Sequence, residues 1–153
     1  MRPVINFKAR GVTFYLDLEE EFTKIEDYSG IGKTFMCDSL RAALNTWEDT
    51  GVYPVKDKET DENIKVKIID GVKEYKSENK VDYSEPNTLY IIDEADIYLS
   101  RKPEVVPEIL DNDSSYFVFM LRANIDRLCF DYYEKAYLVQ DIPNRKVYMK
   151  YYD

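Results

Sequence analysis

The sequence predicts an α/β fold, a mainly parallel three-layer sandwich formed as one domain over residues 1–153, with β-hairpin additions at both ends. Three observations predict it. Strand-like and helix-like segments alternate through the middle of the chain, which favours parallel strands joined by right-handed crossovers. Two runs, NTLYIID (87–93) and SYFVFML (115–121), are almost continuously apolar, the mark of strands buried on both faces. A glycine loop, SGIGKT (29–34), falls between a strand-like stretch and a helix-like one.

Taken in order, VINFKARGVTFYLDL alternates apolar and polar residues and breaks at Ala9-Arg10-Gly11, which predicts an N-terminal hairpin. Glu19 to Glu21 reads as a solvated acidic turn. FTKIE (22–26) is a short strand running into the glycine loop. Met36, Leu40, Ala43, Leu44 and Trp47 then recur at helical spacing, and Gly51 follows where a helix C-terminal residue of positive φ is expected. Residues 52–63 are polar and read as a loop. IKVKIID (64–70) is a strand, and the charged segment Gly71 to Pro86 holds a short helix. After NTLYIID, residues 103–112 form a short helix with Pro103 near its first turn. KAYLVQD (135–141) and KVYMKYY (146–152) flank Ile142 to Arg145 as a closing hairpin.

Composition narrows the chemistry. The chain has 153 residues, 44 % hydrophobic and 33 % charged, an ordinary globular balance with room for one core. There is no histidine, so imidazole catalysis and histidine metal sites are excluded. A net charge of −9 argues against strong nucleic-acid binding, which needs a basic surface, and permits either a basic protein partner or a chain kept soluble by its charge. No apolar run is long enough to span a bilayer, and MRPVINFKAR has no signal-peptide core. Cys37 and Cys129 have no metal spacing and are expected reduced, in the cytoplasm. The fourteen tyrosines mostly alternate within strand-like runs, so they read as half-buried sheet positions or as an aromatic binding face.

The loop and the acids after NTLYIID carry the candidate chemistry. Ligands of parallel sheets sit at the carboxyl ends of strands, where both SGIGKT and Asp93-Glu94 fall. The backbone N–H groups of Gly30 through Thr34 can line an anion nest at a helix N-terminus, with glycines permitting close approach. Each piece also has a plainer reading, SGIGKT as a strand-to-helix turn and IIDEAD as a buried strand followed by an acidic turn.

These residues resemble the P-loop NTPases, specifically the AAA-type branch with an added strand and a second acid, as found in small ATP-binding proteins of phage and mobile elements. DYSGIGKT carries the first Walker motif and LYIIDE the second, about sixty residues apart, and the likeness spans roughly residues 22–141. The resemblance implies a P-loop NTPase-like sandwich binding Mg²⁺ and ATP or another NTP. Ser29, Gly30, Ile31, Gly32, Lys33, Thr34 and Phe35 would hold the nucleotide. Lys33 would reach the β and γ phosphates, Thr34 and Asp93 would hold Mg²⁺, and Glu94 would orient the attacking water. Arg122 and Asn124, in MLRAN after residue 120, stand where the family has a sensor; a surface salt bridge is the other reading of Arg122.

One position departs from the pattern. Asp27 stands where the family has glycine, and a carboxylate near a triphosphate weakens binding unless it turns away or meets a cation. The C-terminal helical lid of AAA-type motors is also missing, which argues against a ring-forming motor. The expected activity is slow hydrolysis or a nucleotide switch. The alternative is a non-hydrolysing acidic protein of phage or mobile-element origin, anti-CRISPR-like, that binds and inhibits a partner.

Overall fold

The computed structural model describes residues 1–26, 33–121 and 130–152. The chain opens with β1 (Pro3–Ala9) and β2 (Val12–Asp17), paired antiparallel across a turn in which Arg10 and Gly11 take φ of 50° and 78°. Alternation sets their faces: Ile5, Phe7, Phe14 and Leu16 point into the core, and the Phe7 and Phe14 rings stack 5.1 Å apart. Next come β3 (Phe22–Glu26) and the longest helix, α1 (Lys33–Thr50). Gly51 follows at φ 76°, its N–H bonded to the Trp47 carbonyl, as the sequence predicts.

The polar stretch after α1 contains a short strand, β4 (Val55–Asp57), where the sequence predicts only loop. Then follow β5 (Lys65–Asp70), α2 (Gly71–Lys76) and β6 (Thr88–Asp93). Two short helices, α3 (Ala95–Arg101) and α4 (Val105–Leu110), lead to β7 (Tyr116–Met120). The helix α3 lies where the sequence reads as acidic turn. The chain closes with β8 (Glu134–Asp141) and β9 (Lys146–Tyr151), the expected antiparallel hairpin.

The nine strands among the described residues join one sheet in the order β4-β1-β2-β9-β8-β3-β7-β6-β5. This overturns the mainly parallel three-layer sandwich with hairpins as additions. The sheet is mixed, and the terminal hairpins form its continuous left half. They merge because each has one apolar face and one open edge, and Thr13–Tyr15 of β2 pairs parallel with Lys146–Tyr148 of β9. Helical cover is sparse: α1 has 18 residues, but α2, α3 and α4 have only 6, 7 and 6, too few to lay a full second layer. Parallel pairing is confined, apart from that seam, to the block β8-β3-β7-β6-β5.

Each face of the sheet has its own core. Ile25, Leu89, Ile91, Val118 and Met120 meet Met36, Cys37 and Leu40 of α1 on one face, together with the hairpin residues. On the other, Tyr90, Ile92, Phe117 and Phe119 meet Ala95, Tyr98 and Leu99 of α3 and Val105 and Ile109 of α4. Odd and even residues of β6 and β7 thus go to opposite cores, which is why their sequences read as continuous apolar runs. Tyr90 and Phe117 stack at 4.7 Å and 3°. Truncating a buried ring of this kind costs about 3–5 kcal/mol.

Candidate functional site

The register of the parallel block fixes where the predicted site lies. Ile25 of β3 pairs with Met120 of β7, and Ile92 of β6 pairs with Phe119. Asp93 therefore sits level with Met120 and Ile25, with β7 alone between β3 and β6. At ordinary strand spacing the two carboxyl ends are about 10 Å apart. The helices that follow leave toward opposite faces. α1 packs on the first core, its Cys37 Sγ 3.4 Å from the Met120 Sδ, whereas α3 packs on the second through Ala95, Tyr98 and Leu99. The connections that follow β3 and β6 thus leave toward opposite faces of the sheet, with β7 between them.

On the β6 side the turn is tightly specified. The Asp93 Oδ1 accepts the Glu94 N–H at 3.0 Å, and Glu94 takes φ 49°, ψ 45°, the left-handed region. A non-glycine residue there is held at a cost of about 1 kcal/mol or more. The clamp comes from the neighbouring corner. Asp70 pairs with Asp93 in the sheet, and Gly71 follows so closely that a Cβ on it would lie 2.5 Å from the Asp93 carbonyl oxygen and 2.7 Å from that of Glu94. Asp70 itself caps α2, its Oδ1 accepting from the Val72 and Lys73 N–H groups at 3.1 and 3.3 Å. Beneath the turn the buried hydroxyls of Tyr83 and Tyr98 bond at 2.7 Å. Burial raises the pKa of both, most for Tyr83.

The predicted residues divide as follows. Asp93 and Glu94 stand together at the end of β6, both half-buried. Lys33 and Thr34 open α1 by backbone, with side chains outside the described residues. Ser29, Gly30, Ile31, Gly32, Asp27, Arg122 and Asn124 also lie outside them. The Phe35 ring packs 5.9 Å from Phe14, with the Arg10 guanidinium 5.8 Å from its centroid, so its side chain belongs to the hairpin contact. Among the described residues no three acids or cysteines are arranged to hold a metal ion by themselves.

Sequence reasoning missed Gly71, α3 and the tyrosine pair. Gly71 had a signal, a glycine directly after the acid that ends a buried strand. The tyrosine pair had none, since Tyr83 lies in a charged segment without periodicity. Compared with known proteins, the chain matches no family profile, no curated protein and no solved structure. No described helix is long and apolar enough to cross a membrane.

Proposed function

We propose that the chain is a cytoplasmic nucleotide-binding protein that takes Mg²⁺ with ATP or another NTP at the carboxyl ends of β3 and β6, and turns it over slowly. The observation that carries this reading is the register: β3, which precedes SGIGKT in the sequence, and β6, whose last residue Asp93 is followed by Glu94, finish within one residue of level with β7 between them. A triphosphate lying from the loop toward Asp93 would span that gap. The donor types fit a hard cation, since a carboxylate and a hydroxyl supply oxygen and the chain has no histidine. Mg²⁺, when bound, neutralises charge on the phosphate oxygens.

The chain's own residues would divide the remaining work. Backbone N–H groups of residues 30–35 bind phosphate, and Lys33 holds the terminal phosphates. Glu94 orients water and accepts its proton; the left-handed turn clamped by Gly71 fixes where that carboxylate starts. Arg122 would meet the γ-phosphate. Glu94→Gln keeps the shape and removes the base, so it should retain the ligand and lose most hydrolysis. A hundredfold excess of Mg-ATP over Kd should raise the melting temperature by about 5–10 °C for wild type and Glu94→Gln, and not for Lys33→Ala. Phosphate release from Glu94→Gln at the wild-type rate would remove Glu94 from the reaction.

A second reading, a non-hydrolysing interaction protein, draws on Asp27 and on the acidic surface described next. Nucleotide-induced stabilisation without phosphate release would favour it.

A further inference from the structure

At the opposite end of the parallel block, the amino ends of β3, β7 and β8 border a concavity of about 820 Å³. Its walls combine two chemistries. Glu20, Glu21, Asp131 and Glu134 are exposed around it, and none of the four forms an ion pair with a described residue. Glu19 joins them but is already held by Arg2 at 3.2 Å. Between the acids stand the rings of Tyr116, Tyr132 and Tyr133. Among the described residues, no lysine or arginine lines the concavity.

Tyr132 is the unusual member. It is 72 % exposed, one of four large hydrophobic side chains so presented among the described residues. An aromatic ring held out between carboxylates makes no contribution to the core. The chain itself shows what such a ring accepts, for the buried Lys24 ammonium lies 5.0 Å from the centroid of Tyr133. Burial raises the hydroxyl pKa of Tyr116, and the Glu21 carboxylate raises it further against the Arg2 guanidinium, which lowers it.

We infer that this surface docks a basic segment of a protein partner, with a lysine or arginine side chain seated against Tyr132 among Glu20, Glu21, Asp131 and Glu134. Four carboxylates that form no ion pair among the described residues supply charge complementarity, and the tyrosines supply flat apolar area that loses little rotamer freedom on binding. The same acids repel a phosphate backbone, so nucleic acid is the wrong partner for this face. The surface lies at the end of the strands away from Asp93 and does not depend on the nucleotide reading.

Fluorescence anisotropy with labelled octalysine tests it on the full chain at low and physiological salt. Tyr132→Ala and the double variant Glu20→Gln/Glu21→Gln should each weaken binding about fivefold or more. The control Glu48→Gln/Glu62→Gln removes the same charge from exposed positions elsewhere and should change it less than about twofold. All these side chains are exposed, so melting curves should be unchanged. Absence of binding, or equal weakening by the control, would show only diffuse attraction to an acidic protein and overturn the proposal. So would binding of a single-stranded oligonucleotide that Tyr132→Ala abolishes.

Discussion

Gly71 is the residue on which the β6 turn depends most visibly. A methyl group there meets two backbone oxygens and the Tyr98 Cβ at 2.9 Å or less, and backbone cannot step aside as a flexible side chain would. Gly71→Ala should therefore cost about 1–3 kcal/mol in denaturant unfolding. Gly51→Ala is the useful contrast: nothing lies within 4 Å of its Cβ, so only the positive φ opposes it, at about 1 kcal/mol. Equal losses would mean that the Gly71 corner has room to relax. Tyr83 and Tyr98 give a second residue-scale prediction. Their folded pKa values lie above the unfolded value near 10, so the folded state keeps protons that the unfolded chain releases. The stability they contribute is intact below pH 10 and falls as pH rises beyond it. Melting temperature should drop between pH 10 and 11, and Tyr83→Phe should flatten that drop; an unchanged slope in the variant would assign it to other groups.

At the scale of elements, what the sequence disclosed follows from burial. Segments 64–70, 87–93 and 115–121 were legible because β6 and β7 bury both faces and β5 carries a strand-forming run to its acid. The N-terminal hairpin was legible from alternation and Arg10-Gly11. Helix α3 was not, because its start is a left-handed Glu94 without a side-chain cap, and the acids before it look like solvated turn. β4 was hidden in a polar stretch, held by pairing with Pro3–Ile5. Nor does either terminal hairpin announce its partner: Thr13 and Lys146 meet only because both edges are open. That seam has a testable consequence. Removing residues 142–153 deletes β9, which joins β8 to β2, and strands the left half of the first core. The shortened chain should lose cooperative unfolding and bind a hydrophobic dye. If it unfolds cooperatively within about 1 kcal/mol of the full chain, the hairpins are additions after all.

Across the whole molecule, the mixed sheet puts two unlike surfaces at opposite ends of one parallel block. The carboxyl end carries Asp93 and Glu94; the amino end carries Tyr132 and its carboxylates. That β3 and β6 end close to level was legible from their apolar runs, and the register through β7 bears it out. The acidic end was not legible, because Glu19–Glu21 and Asp131–Glu134 are distant in sequence and join only through β3, β7 and β8. Nucleotide binding at the carboxyl end is opposed most by the carboxylate of Asp27. Titration calorimetry of Mg-ATP into wild type and Asp27→Gly tests it most directly. A saturating one-site heat in both, with Asp27→Gly at least as tight as wild type, is the predicted result. Absence of heat from both would contradict the account and leave SGIGKT a turn between a strand and a helix.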